Sequence, residues 1–577
     1  MLVDKCLDLL TRWSERLLSL QIHDTGNLHL DGGLSCPSCG MIHGRCVEAM
    51  YPFITMASVT GDNKWIEASE DLFSWAEHNV LLDNGLFLND IDVEWKGTTV
   101  FTTIQLCDCL IRHELILSDS FRTKIKNCIR KAAESLSSFE ALKSNNVNYP
   151  FSNALALYEA WIVTGDEIFK DKSSEFLDSA KDAFLPDGLI AGEGCPRSLI
   201  SPRGCNPVDI GYNVEETLVS LARLSILKDD VLLQDKVQKS LLAHLMFMLP
   251  DGAWDNSFGT RNFKWSYWGS RTTDGSAEAF LLFADKSPVF KTAAWKHIEL
   301  LDRTTSSDNL LLGGPDYEKM DQLPCIHHTF THAKILASVI DNGIADIDKP
   351  NLLLPRFELN GIRTFDSIAT SIATFDGYTV TISGYDWRYT AGDHSSGGTI
   401  TMLYGNEAGP VIAAGMREYH IVEKNNMQSP KSIKHHECMI PRIEYTDGGI
   451  LYSSMNDGMA DIEINDNSII VNGVLKNADC DGDGGKYSFI YHFYSKSFVV
   501  DIYSEKGVFI LPFISSPDDD VFLSNRLIRR HGVSVTSSED IEYPYSSERI
   551  FNLIPGFSAI RADIKMGKFI RLKFDFS

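Results

Sequence analysis

The chain has 577 residues, 44% hydrophobic and 23% charged, with a net charge of −25. It is therefore a globular protein long enough for two or three domains, and its charge argues against a nucleic-acid partner or an anionic membrane. No run of about 18 apolar residues occurs, so no membrane-spanning helix is expected.

The opening stretch MLVDKCLDLLTRWSERLLSLQI is amphipathic and carries charges on both sides of its apolar positions. That pattern is a helix and not a signal peptide. A cytoplasmic location is expected if the chain is complete, and a periplasmic or secreted one if a signal has been removed. Twelve cysteines are present, and in a chain with its own core most read as reduced, buried side chains.

From residue 1 to about 342 two kinds of helical segment alternate. Apolar ones cover 43–60, 97–115, 148–164, 212–228, 270–285 and 327–341; amphipathic ones cover 62–80, 118–138, 166–184, 231–249 and 287–303. The joins recur as Thr60-Gly61-Asp62 and Thr164-Gly165-Asp166, a left-handed stop followed by an N-cap. LLDNG, FLPDG and MLPDG then mark turns after successive amphipathic helices. A helix apolar all round must be buried on every side, whereas its amphipathic partner can face water. Six such hairpins predict an (α/α)6 toroid over residues 1–350, with a simple α-solenoid as the alternative. From 351 to 577, alternating runs such as YTVTISGYDW and YSFIYHFYSKSFVVDIYS predict an antiparallel β-sandwich.

In a toroid the loops leading into the inner helices gather at one end, so the chemistry is sought there. The first loop holds Cys36, Cys39, His43 and Cys46, a spacing that could wrap one structural zinc; His43 and Arg45 otherwise face the cleft. The second offers Asp92, Glu94, Trp95 and Lys96 for a sugar ring and a catalytic acid. In the third, Asn148 and Tyr149 can hydrogen-bond a uronate, although Asn148 also suits an N-cap. Tyr212, Glu215 and Glu216 open the fourth inner helix, where a buried glutamate with a raised pKa suits a general acid.

The fifth loop, 254–275, is the densest. Trp265 and Trp268 are expected to stack on sugar faces, Arg261, Lys264 and Arg271 to pair with carboxylates, and Asp274 to serve as catalyst or helix cap. The alternative is that its aromatics plug the domain edge. The sixth brings His327, His328 and His332, with His328 expected as acid or base and His327 as a substrate contact.

A toroid followed by a sandwich resembles the heparinase II/III-like polysaccharide lyases. In the segment DHSSGGTITMLYG, His394 precedes a strand ending in Tyr-Gly as in that group, but Ser and Gly stand where its acidic partner is expected. The phrases VDIGYNVEE and TRNFKWSYWGSRTTDG are similar to (α/α)6 exo-β-glucuronidases. The resemblance implies cleavage at a uronic acid of an acidic oligo- or polysaccharide, with no required cofactor. Hydrolysis by paired carboxylates is the favoured mechanism, from Glu216, Glu215, Asp274 and Asp92. β-Elimination with tyrosine and histidine as acid and base is the alternative, and a non-catalytic glycan-binding protein the second. A homo-oligomer is compatible with all three.

Overall fold

A computed structural model describes residues 1–144, 146–275, 277–388, 393–423, 427 and 437–577. The six inner helices are Met50–Thr60, Thr99–His113, Asn148–Thr164, Leu218–Leu227 with the short turns before it, Ala277–Leu282 and Ile326–Asp341. Each packs on the next, and the last packs on the first, so the ring closes. The outer helices are Lys64–Asn79, Asp119–Ser137, Glu167–Ser179, Val231–His244 and Pro288–Arg303. The sixth place is taken by the N-terminal helix Leu2–Ser19, which lies against Ile326–Asp341. The expected (α/α)6 toroid is thus formed, with its outer ring completed from the start of the chain.

The local signals act as the sequence suggests. Gly61 and Gly165 end their helices at φ 70° and 77°, and Asp166 caps the next helix through Ile168 N at 3.3 Å. Gly85, Gly188 and Gly252 turn small bridged loops, Leu81 with Phe87, Phe184 with Ile190 and Met248 with Trp254. A further copy, Thr305 with Leu311, turns on left-handed Asn309.

The C-terminal part is built from antiparallel sheets arranged as a sandwich. Its first five strands, Gly361–Phe365 to Gly409–Ala413, form a simple meander. An eight-stranded sheet centres on Lys486–Tyr494, Ser497–Ser504 and Lys568–Phe576, and a six-stranded sheet on Val508–Ile514 and Phe557–Lys565. Strand Lys486–Tyr494 buries Tyr487, Phe489, Tyr491 and Phe493 and turns the residues between them outward, the period-two pattern of a half-buried strand. These rings meet Tyr378, Phe498, Phe509 and Phe574 in the sandwich core. The acidic phrase at 479–484 lies between Ser468–Val474 and Lys486–Tyr494, and Asn477 Oδ1 accepts from Asp479 N and Asp481 N. It is a hairpin turn.

One buried ion pair joins the two parts. Arg356 donates to Asp255 Oδ2 at 2.9 Å and to the hydroxyls of Thr379 and Thr381 at 2.9 and 2.7 Å. Arg356 and Asp255 are both fully buried. Removing one partner strands the other charge in the interior, at a cost of about 3–5 kcal/mol. Arg356→Ala is therefore expected to lower the urea midpoint of unfolding markedly; an unchanged midpoint would show that this ion pair does not hold the domains together.

Candidate active site

A cleft of about 340 Å³ lies where the loops converge. Five of the six loops named above supply polar or aromatic groups to its lining, among them Arg45 from the first, Trp95 from the second, Asn148 and Tyr149 from the third, Tyr212 and Glu216 from the fourth, and Arg261, Lys264 and Thr272 from the fifth. Glu423, from the C-terminal half, completes it. A roomier depression of about 700 Å³ beside Trp295 holds only charged groups that are partly open to solvent, Lys296, Glu299, Lys349 and Asp376. Buried titratable groups converging on a cleft are the better mark of chemistry.

The fourth inner helix shows why its glutamates differ. Asp209 caps it through Tyr212 N at 3.0 Å, and residues Asn213–Thr217 form a π-helical turn before Leu218–Leu227 resumes. Such a bulge shifts side chains relative to an ideal helix. Glu216 faces the cleft beside Asn148, whose amide donates to it. Glu215 points the other way and accepts from Ser270 N at 2.7 Å and from the Thr273 hydroxyl.

The charges beneath the cleft nearly balance. Arg45 makes a two-pronged pair with Glu48 at 2.7 and 2.8 Å. Lys334 also donates to Glu48 and lies 2.8 Å from Asp274, which is 3.4 Å from Arg45. Two cations thus serve two carboxylates, and Glu216 has no cation of its own. Burial and the nearby Asp274 charge push Glu216 up to about 8, against the pull of Arg45 and the Asn148 hydrogen bond. Glu216 is a neutral acid at neutral pH.

Tyr212 is the other focus. Its hydroxyl is 2.7 Å from Thr272 Oγ1 and accepts from Lys264 Nζ at 3.0 Å, while the Arg261 guanidinium lies 4.0 Å over its ring. Burial pushes the phenol well above its usual range, with Arg261 opposing. Burial, helped by Arg261, brings Lys264 down to about 8, although Glu423 pairs with it at 2.6 Å. The proton-holding group is thus the tyrosine, and the group able to lose a proton near neutrality is the lysine. Trp95 donates to Tyr149 Oη at 2.8 Å and meets its ring edge-on, so the two form an aromatic wall of the cleft.

Several expected residues lie elsewhere. Asp92 and Glu94 are exposed, and Lys96 is half-buried outside the lining. Asp274 is engaged with Arg45 and Lys334 behind the cleft. Trp265 and Trp268 are fully buried, and their indole N–H groups donate to Trp254 O at 2.9 Å and Leu312 O at 2.8 Å. The aromatics of 254–275 therefore plug the domain, and its polar members Arg261, Lys264 and Thr272 reach the cleft. The strands Trp265–Ser266 and Gly269–Ser270 form a hairpin in which Gly269, at φ 158°, leaves room for Glu215; a Cβ there would lie 2.1 Å from its carboxyl carbon. Arg271 donates to Gly313 O at 3.2 Å and to Leu553 O, tying the toroid to the sandwich and not to substrate.

The histidines are also interior. His327 and His328 are buried, which pushes both well below the usual imidazole range, and neither lines the cleft. His332 lies 3.6 Å from Glu215 and packs on Trp268. In the sandwich, His394 is buried with its ring nitrogens 3.1 and 3.0 Å from the carbonyls of Ser395 and Gly415. His43 is turned away from the cleft toward Cys36, Cys39 and Cys325; Cys46 is buried apart from them. Thr272, Glu423 and Glu193, which accepts from Asn148 N at 3.0 Å and pairs with Arg261 at 3.3 Å, were not among the expected site residues. Glu193 lies far upstream in the long loop that enters the fourth inner helix, and Glu423 lies outside the repeat altogether, so neither is among the residues next to an inner helix that the repeat singles out.

Two family descriptions match in order: Ulvan lyase N-terminal domain over residues 10–356, and Ulvan lyase C-terminal domain over residues 362–573. A Formosa agariphila protein named broad-specificity ulvan lyase is 36% identical over 585 residues, covering 96% of this chain and 91% of that one. Among solved structures, the fold is similar to heparinase III, with a TM-score of 0.56 and 13% identity over 99% of this chain and 85% of that one. It is also similar to the Streptomyces coelicolor A3 chondroitin AC lyase, with a TM-score of 0.51 and 11% identity over 99% and 82%. The expectation of a glucuronidase-like hydrolase is corrected by these matches, and the eliminative alternative takes its place. The chain belongs to the ulvan lyase family and is a polysaccharide lyase.

Proposed function

We propose that the protein cleaves ulvan, or an acidic polysaccharide like it, by β-elimination at a uronic acid, with Lys264 as base and Tyr212 as acid. The observation that carries the reading is the 3.0 Å hydrogen bond between Lys264 Nζ and Tyr212 Oη inside the cleft. Elimination needs a base for the C5 proton, an acid for the C4 leaving oxygen, and a partner that neutralises the carboxylate beside C5. Lys264, lowered to about 8, supplies a neutral amine to take the proton. Tyr212, raised by burial, holds the proton that the leaving oxygen receives. The ammonium so formed then returns its proton to the phenolate along their hydrogen bond. The electron pair of the C5–H bond becomes the C4–C5 double bond as C4–O breaks, and the pair is reset without net proton change.

The third requirement falls to Arg261, Asn148 and Glu216. Protonated, Glu216 can donate to a uronate carboxylate where an ionised one would repel it. Asn148 Oδ1 is buried without a hydrogen-bond partner; a turn of the amide would place it to accept from Glu216 and aim Nδ2 at the substrate. Hydrolysis has weaker support. The only carboxylates among the described lining residues are Glu216 and Glu423, and Glu423 is ion-paired with Lys264.

Lys264→Met and Tyr212→Phe are each expected to lower kcat by about 100-fold or more, read as the ultraviolet absorbance of the unsaturated uronate product. Wild-type rates in Lys264→Met would remove the lysine from the mechanism.

The pH profile follows from the signs. Raising pH through about 8 deprotonates Lys264, which speeds the reaction, and ionises Glu216, which weakens carboxylate binding. A bell in kcat/KM centred near 8 is expected, and Glu216→Gln should extend its alkaline limb upward while leaving the acid limb in place. An alkaline limb unmoved in that variant would assign it to another group.

Glu423 holds the cations that a substrate carboxylate would use, lying 2.6 Å from Lys264 and 3.6 Å from Arg261. Glu423→Gln should therefore lower KM several-fold; a raised KM would make Glu423 a substrate contact.

A further inference from the structure

Beside the cleft, the first and last inner hairpins meet at a cluster of thiols and one imidazole. Cys36 Sγ is 3.7 Å from Cys325 Sγ. His43 Nε2 is 3.4 Å from Cys325 Sγ and 3.5 Å from Cys39 Sγ. The ligand atoms of Cys36, His43 and Cys325 all lie within 4.8 Å of one another, and all three residues are buried. No disulfide joins any of these cysteines.

These three separations match edges of a metal tetrahedron. With Zn–S near 2.3 Å and Zn–N near 2.0–2.1 Å, tetrahedral angles place sulfurs about 3.8 Å apart and sulfur and nitrogen about 3.6 Å apart. Two independent features support a ligand set over a chance cluster of thiols. The run Cys36-Pro-Ser-Cys39-Gly40 is folded as a tight knuckle: Gly40 N donates to Cys36 O at 2.8 Å, Cys36 N to Met41 O at 2.9 Å, and Gly40 sits at φ 72° with open space around it. The imidazole is also oriented from behind. His43 Nδ1 is buried with no hydrogen-bond partner and lies 3.6 Å from Asp90 Oδ2, while Asp90 Oδ1 accepts from Gly44 N and Ile91 N at 3.0 Å. A carboxylate facing the non-ligating nitrogen favours the tautomer that leaves Nε2 free for a metal.

We propose that Cys36, Cys39, His43 and Cys325 bind one zinc ion that staples the first inner hairpin to the last and so closes the toroid. Cys36, Cys39 and His43 come from the loop before Met50–Thr60, and Cys325 caps Ile326–Asp341. Cys39 is the one exposed ligand and marks the path by which the ion enters. Cys46, only three residues after His43, is not a ligand; Cys325, distant in sequence, replaces it. Arg45 follows His43 by two residues and Lys334 lies two turns into the helix that Cys325 caps, so the staple also fixes the cations beneath the cleft.

The test is metal analysis of the wild-type chain purified without chelator, together with cobalt exchange. One zinc per chain is expected. The cobalt form should show intense thiolate-to-metal charge transfer in the near ultraviolet and the visible bands of a tetrahedral ion. Cys325→Ser should lose the metal and Cys46→Ser should keep it. Because the wild-type cobalt spectrum reads the thiolates directly, the proposal does not depend on any variant folding. It is overturned if wild type holds no zinc even after incubation with it, if a Cys36–Cys325 disulfide is the isolated state, or if Cys325→Ser keeps a full equivalent.

Discussion

The carboxylate of Glu48, shared by Arg45 and Lys334, is the interaction on which the site depends. All three side chains are buried, and they come from the first and last turns of the ring. An ion group of this kind is costly to desolvate and is tolerated when each charge has its partner. Here Glu48 and Asp274 together neutralise Arg45 and Lys334. That balance holds the ring closed at the point where no chain connection closes it. It also decides what happens next door, because nothing remains to neutralise Glu216.

The chemistry of the cleft follows from this accounting of charge. A buried carboxyl without a cation is pushed up to about 8, and a lysine buried beside an arginine is brought down to about 8. The cleft therefore offers a neutral acid and an amine close to neutrality, set against a phenol that holds its proton. This arrangement suits removal of a proton beside a carboxylate. It does not suit a pair of carboxyls flanking a glycosidic bond, which hydrolysis would use.

Much of the architecture was legible in the sequence because it is written in local, repeated signals. Thr-Gly-Asp joins, apolar helices and Pro-Asp-Gly turns follow from backbone sterics and burial, and they recur where the ring requires them. The site was only partly legible. Arg45, Trp95, Asn148, Tyr149, Tyr212, Glu216, Arg261 and Lys264 were reachable from their places before inner helices, and all line the cleft. The tryptophans of 254–275 were misjudged because composition does not say which side of a loop faces inward. Glu215 and Glu216 could not be told apart because a π-helical turn between two helical segments leaves no trace in residue period. Cys325 and Glu423 reach their partners only through ring closure and the approach of the C-terminal half, contacts that spacing along the chain does not encode.

If the bond is broken by elimination, the proton leaves C5 and no water enters the product. Digestion of ulvan in heavy-oxygen water, followed by mass analysis of the fragments, tests it most directly. With elimination, no solvent oxygen is incorporated at cleavage and each cut yields one unsaturated end. One solvent oxygen per cut, with saturated ends, would contradict it.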